Sequence, residues 1–168
     1  MMIRRCGVPD VTNLTSSSKP TSSNHHKSKM FHMVSHYAFP EEIRRWPSSK
    51  YQLTYTFRSG VQNPNEADMR GDHGDRDAFD GPLGKVLAHA FYPQDGRFHY
   101  DADEDWSNNP NMNQFDLESV AAHEIGHLLG LAHSQDSNAI MFSIIPIGTI
   151  KRELIQDDID GIHALYPN

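Results

Sequence analysis

His123-Glu124-Ile125-Gly126-His127-Leu128-Leu129-Gly130-Leu131-Ala132-His133 constrains this chain more than any other stretch. His123 and His127 are four residues apart, so on a helix their imidazoles stack on one face. Gly130 can take positive φ, which ends the helix and reverses the chain. His133 then returns towards the first two histidines. A fold that accepts this stretch needs a helix, a sharp turn and a doubled-back strand beneath it. Two neutral imidazoles at helical spacing plus a third after the turn suit Zn²⁺ with one open position, the mark of a catalytic rather than a structural site. Glu124 lies beside the open position, where it can take a proton from a zinc-bound water. The short form HExxH also occurs by chance on ordinary helices; the extended form fixes three histidines, a glutamate and a glycine together.

Downstream, Asn138-Ala139-Ile140-Met141-Phe142 places Met141 where metzincins carry their Met-turn. Ser134 directly follows the third histidine. On these residues the chain resembles the matrixins, the matrix metalloproteinases, and Gly7-Val8-Pro9-Asp10-Val11 with Tyr51 to Phe57 resembles the plant type. The resemblance implies an α+β, zincin-like fold: a twisted mixed β-sheet, an active-site helix and a C-terminal helix. It implies His123, His127 and His133 as ligands of the catalytic zinc, with Glu124 as general base. It also implies a second, structural zinc on His73, Asp75, His89 and His99, histidines that would otherwise read as scattered.

Asp80-Gly81-Pro82-Leu83-Gly84-Lys85 is a turn-rich loop suited to presenting carbonyls, and Asp101 and Glu104 add hard carboxylate oxygens. Alone this reads equally as a solvated acidic loop. The resemblance implies a Ca²⁺ held by Asp80, Asp101 and Glu104, with carbonyls of Gly81 and Leu83. A further family calcium site near Asp95-Gly96 is not expected, because that loop is short. The single cysteine, Cys6, cannot form an intramolecular disulfide. In Arg5-Cys6-Gly7-Val8-Pro9-Asp10 it resembles the matrixin cysteine switch, whose thiolate takes the open zinc position; the plain alternative is an inert free thiol. Substrate contacts implied by the family are Leu87 and Ala88 on an edge strand and Ser119 at the pocket floor. Ser143 and Ile145 stand at wall positions that family members give to Pro and Tyr. Asp157 or Asp158 is the expected partner of a new α-amino group after activation.

The chain's 168 residues suffice for one core, and a net charge of −7 disfavours nucleic-acid partners. No apolar run approaches a membrane span, and Met1-Met2-Ile3-Arg4-Arg5 lacks the apolar core of a signal peptide. The resemblance implies secretion, a monomer and peptide or protein substrates, so the chain reads as lacking its natural N-terminal end. Three parts are expected: a prodomain remnant with the switch (1–11), a polar linker and activation region (12–35), and the catalytic domain (36–168). Tyr51 to Phe57 alternates like a half-buried strand and Lys85 to Tyr92 reads as another. Asp116 is the expected N-cap of the zinc helix, with Leu117, Val120, Ala121 and Leu128 on its core face. A final helix carries Ile159, Ile162 and Tyr166 and stops before Pro167; His163 is given no metal role.

One departure bears on function. Arg58 to Glu66 is turn chemistry, too short for the helix and strand that matrixins place there. Leu53 and Tyr55 are then expected to lie exposed. Three readings stay open: a zinc endopeptidase, a metal-binding but inactive pseudoprotease, and an unrelated metal-binding module with a coincidental motif.

Overall fold

A computed structural model describes residues 6–8, 36–56, 69–82 and 84–167. Leu83, the activation region and the 57–68 stretch therefore lie outside the described residues. The order of elements is a 3-10 turn at Ser48–Lys50, strands β1 (Ala88–Ala90), β2 (Phe98–Tyr100), β3 (Trp106–Ser107) and β4 (Phe115–Asp116), then helices α1 (Leu117–Leu129) and α2 (Gln156–Leu165). This is the α+β arrangement the motifs imply, with mixed pairing: β1 and β2 are antiparallel, β3 and β4 parallel.

Register places chemistry. Ala88 faces Tyr100, His89 faces His99 and Ala90 faces Phe98. Because side chains alternate along a strand, His89 and His99 share one face of the hairpin, while Ala88 and Tyr100 share the other. The second face closes on the first core, where Leu87, Ala88, Tyr100, Trp106, Phe115, Val120 and Ile145 are buried together. Leu117 and Ala121 of α1 pack against the same cluster. Leu131, Ile140, Met141 and Leu165 form a second core, joined by Ala122 and by Ile162 and Tyr166 of the C-terminal part. α1 is thus wedged between two cores, which fixes it along most of its length.

Both ends of α1 are explicitly satisfied. Asp116 has extended backbone (φ −77, ψ 110) and accepts from the Ser119 N–H at 2.9 Å, so it is the N-cap the sequence predicts. Gly130 is left-handed at φ 107 and returns its N–H to the last turn. A side chain there would also strike the Arg44 carbonyl. The last carbonyls find donors that the sequence does not advertise: Trp46 Nε1 donates to Leu128 O at 2.8 Å and the Tyr166 hydroxyl to Leu129 O at 2.7 Å. α2 begins where Asp158 reaches back to the Ile155 N–H at 3.0 Å, and it ends before Pro167.

The predicted strand over Tyr51 to Phe57 is corrected. Residues 51–56 carry no strand, and every one of them is exposed, Tyr55 at 88%. Alternation favours a strand only where a packed layer covers one face, and among the described residues no core covers 51–56. Tyr51 does meet the Tyr166 ring edge-on at 5.3 Å. The strand expected over Lys85 to Tyr92 is shorter, confined to Ala88–Ala90.

Candidate active site and metal centres

Helix spacing and the Gly130 reversal bring three imidazoles to one point. Nε2 of His127 lies 3.1 Å from Nε2 of His123 and 3.2 Å from Nε2 of His133. These are not hydrogen bonds between the first two rings, because both Nδ1 protons are committed elsewhere: His123 donates to Ile140 O and His127 to Leu131 O, each at 2.7 Å. Those carbonyls fix the tautomer and leave the Nε2 lone pairs aimed at each other. Such an arrangement is repulsive unless a cation sits between them. Burial, with His133 beside it, pushes His123 down to about 3, and burial holds His127 well below the usual imidazole range. Neutral imidazoles are the form that binds a metal. The Cys6 sulfur joins the group, and the four ligand atoms lie within 4.8 Å of one another.

Glu124 is fully buried on the next helical position, and burial pushes its carboxyl up to about 8. Among the described residues neither oxygen meets a donor at hydrogen-bonding geometry, although the Cys6 thiol lies close enough to favour the ionised form. A buried carboxylate so poorly satisfied is costly, and a water or thiol proton beside a cation would relieve it. Donors and burial both fit a zinc centre here.

The second group is built by the β1–β2 register and a loop. Asp75 Oδ2 lies 2.8 Å from His73 Nε2, 3.0 Å from His89 Nε2 and 2.9 Å from His99 Nδ1. The nitrogens are 3.2 to 3.4 Å apart. Four atoms spaced by roughly 3.2 Å at tetrahedral corners are each about 2.0 Å from their centre, the Zn–N and Zn–O bond length. His73 Nδ1 donates to Gly71 O at 2.9 Å, which frees its Nε2 for a metal. Phe79 stacks on His73 and His89 with centroids 5.1 and 4.7 Å away and closes the group from water. Burial alone would raise Asp75, but the Asp77 N–H and the histidines outweigh it and hold the carboxyl well below the usual range.

The acidic loop is less closed. Asp80 accepts from the Lys85 N–H at 2.7 Å and the Val86 N–H at 3.2 Å. Burial and the Asp80 charge push Asp101 up to about 6, and Asp101 Oδ2 is buried without a partner. A buried carboxyl raised by a neighbouring carboxylate suits a cation shared between the two. Glu104 is buried nearby in sequence, and the Gly81 carbonyl accepts from the Gly84 N–H at 2.9 Å, leaving one lone pair. Among the described residues these acids do not converge as tightly as the two histidine groups.

A family model described as Matrixin matches residues 13–167. The chain belongs to the matrixin family. Among similar proteins are Metalloendoproteinase 1 of Glycine max, 41% identical over 99% of this chain and 64% of its own length, and Metalloendoproteinase 2-MMP of Arabidopsis thaliana, 38% identical over 99% and 55%. Interstitial collagenase of Sus scrofa is 39% identical over 96% of the chain and 36% of its own length. The chain thus spans from about a third to just under two thirds of these curated relatives. The Glycine max alignment runs over 205 positions against a chain of 168, so that relative has residues with no counterpart here. Matrixins are a metalloendopeptidase family, and membership implies dependence on zinc.

In this matrixin Met141 lies directly beneath α1. It is 2% exposed, and a Cβ on Gly126 would overlap its sulfur. Asp158 pins the Met141 turn through the Ile140 and Met141 N–H groups at 3.0 and 3.2 Å. Asp157 instead takes the His36 and Tyr37 N–H groups at 2.7 and 3.0 Å, and its other oxygen accepts from Ser134 Oγ at 2.7 Å. Of the two aspartates, the first therefore receives the His36–Tyr37 main chain.

The Cys6 segment lies between two walls. Gly7 N donates to Ala88 O at 2.8 Å, and Cys6 N donates to Ser143 O at 3.2 Å. Gly7 has no room for a side chain, since a Cβ would come 2.9 Å from Val86 Cγ1 and 3.1 Å from His89 Cβ. Leu87 and Ile145 are buried in the first core, and Ser119 is buried with its hydroxyl on Asp116. Tyr92, which sequence reasoning passed over, sets its ring edge-on to His127 at 5.9 Å. Among the described residues no helix is long and apolar enough to cross a membrane.

Proposed function

We propose that this chain is a zinc-dependent endopeptidase that hydrolyses peptide bonds of extracellular proteins, with a switch segment at 1–11, a linker at 12–35 and the catalytic domain at 36–168. The observation that carries the reading is the convergence of three imidazole Nε2 atoms beside a buried, poorly satisfied Glu124 carboxylate. His123, His127 and His133 would hold the catalytic zinc, and Met141 would floor it. A zinc ion bound there supplies Lewis acidity, polarising the scissile carbonyl and acidifying water. Glu124 takes the proton of the attacking water on a carboxylate oxygen and returns it to the leaving amine. Its pKa, raised by burial, suits it to hold that proton between the two transfers. Ala88 and Ser143 carbonyls orient the substrate main chain as they hold the Cys6 segment, and a β-strand edge is a natural peptide receptor.

His73, Asp75, His89 and His99 would hold a second zinc that stiffens the β1–β2 hairpin beneath the cleft. Asp80, Asp101 and Glu104, with carbonyls of Gly81 and Leu83, would hold calcium. Cys6 acts as the latency ligand: its sulfur belongs to the same group as the three histidines. The inactive alternative draws no support from the geometry, since the ligand atoms and Glu124 come together despite the short 57–68 connection.

The test is cleavage of a quenched peptide with Zn²⁺ and Ca²⁺ present. Cleavage abolished by a hydroxamate and by Glu124→Gln, with zinc content unchanged in the variant, is expected. A folded, zinc-loaded chain with no turnover, or turnover that survives Glu124→Gln, overturns the reading.

A further inference from the structure

The cap of α1 also fastens a second element. The Asp116 carboxylate, fully buried, receives Ser119 N at 2.9 Å and the Ser119 hydroxyl, and it receives Arg152 Nε at 2.9 Å and Nη2 at 2.5 Å. Arg152 Nη2 donates in addition to Asn108 O at 2.7 Å. One residue earlier, Lys151 N donates to Ser119 Oγ at 2.7 Å, and Gly148 N donates to Gln114 O at 2.8 Å. The far end of the 143–152 loop is therefore locked to the segment that starts α1. Its near end is the cleft wall, where Ser143 O faces the Cys6 N–H across from Ala88 O. Between the two ends, Ile145 is buried against the core that contains Leu87 and Val120.

The lock depends on shape. A guanidinium grips one carboxylate through two parallel N–H bonds, which a lysine ammonium cannot do. Arg152 also pairs with Glu118 at 2.9 Å, but Glu118 is 57% exposed, and such pairs hold little. The buried Asp116 contact is the one that fixes position.

Resting on the endopeptidase reading above, we propose that Arg152 is a positioning residue for substrate: its fork on Asp116 sets the Ser143–Ile147 wall against the helix that carries His123 and Glu124, and so sets which side chain after the scissile bond is accepted. Arg152 touches neither the reacting atoms nor the peptide and acts through the loop alone.

The experiment compares the full chain with Arg152→Met and Arg152→Lys, all loaded with Zn²⁺ and Ca²⁺. Amide hydrogen exchange over 143–150 needs no turnover. In parallel, kcat and KM are measured on two quenched peptides that differ only by Ala or Leu after the scissile bond. In Arg152→Met, exchange over 143–150 rises about tenfold while 120–129 is unchanged, and the preference between the peptides shifts about tenfold through KM with kcat held within about twofold. Arg152→Lys falls between Arg152→Met and the unaltered chain. Unchanged exchange, or an unchanged preference, in a folded Arg152→Met overturns the proposal. If the unaltered chain cleaves neither peptide, the endopeptidase reading fails, and Kd values for Ala- and Leu-bearing peptide hydroxamates replace KM in deciding the wall's role. Should Arg152→Met not fold, Arg152→Lys decides alone: exchange equal to the unaltered chain overturns the clamp.

Discussion

Replacing Gly126 by Ala gives a prediction whose sign separates two accounts of this glycine. On an ordinary helix, Gly→Ala stabilises by about 1 kcal/mol through propensity. Here the new Cβ would overlap Met141 Sδ and sit 3.0 Å from its Cε. The sulfur cannot simply swing aside, since Met141 is 2% exposed in a core with Leu131, Ile140 and Leu165. Nor can the turn drop freely, because Asp158 holds Ile140 N and Met141 N, and Ser134 N holds Met141 O at 2.9 Å. Overpacking of this kind costs about 1–3 kcal/mol. Subtracting the propensity gain leaves a net loss of about 0–2 kcal/mol. Urea unfolding followed by circular dichroism, with metal concentrations fixed across variants, measures it. Met141→Ala alone costs about 2–5 kcal/mol. With Gly126→Ala already present it costs at least about 1 kcal/mol less, because the clash leaves with the methionine. Gly126→Ala that stabilises by the full propensity value, or a cycle that is additive within about 0.5 kcal/mol, refutes the argument.

Further outcomes follow from the same geometry. Asp116 is lowered: burial would raise it, but Arg152 and Ser119 outweigh burial. Its stabilisation is therefore full above the unfolded carboxylate value of about 4 and is lost as pH falls through the lower folded value; Asp116→Asn flattens that acid limb in a pH series of thermal midpoints. Cys6→Ser and Gly7→Ala both raise basal cleavage of a quenched peptide, the first by removing the sulfur and the second by unseating the segment from Val86 and His89; no change in either sinks the latency role. His99→Ala lowers bound zinc by about one ion per chain in elemental analysis and lowers the thermal midpoint, whereas equal zinc in variant and parent refutes the second centre.

The parts legible in the sequence were those set by local chemistry. The i, i+4 histidines, the Asp116 cap, the Gly130 stop and the helix ending before Pro167 need only neighbours along the chain. The His89 and His99 pairing needs a hairpin register, which no single stretch carries; only the resemblance named it. The Tyr51 to Phe57 strand failed for the complementary reason: alternation states what a strand could bury, and among the described residues no layer covers 51–56. Trp46 on Leu128 O and Tyr166 on Leu129 O are long-range caps. A tryptophan indole gives no sequence signal of which carbonyl it will reach. Ser119 was legible as small but not as the hydroxyl that ties Lys151 N to Asp116.

Cys6-Gly7-Val8 occupies the cleft while joined to His36 through residues 9–35 of the same chain. Its grip is therefore a matter of local concentration, on the order of millimolar for tethered partners, and independent of how dilute the protein is. The contacts that benefit are two main-chain hydrogen bonds and the approach of the Cys6 sulfur to the three histidines. One cut anywhere between Val8 and His36 turns the same contacts into an encounter between separate molecules. At low protein concentration they would then hardly form, so a single peptide bond can convert a modest grip into an essentially permanent release without altering any residue of the cleft.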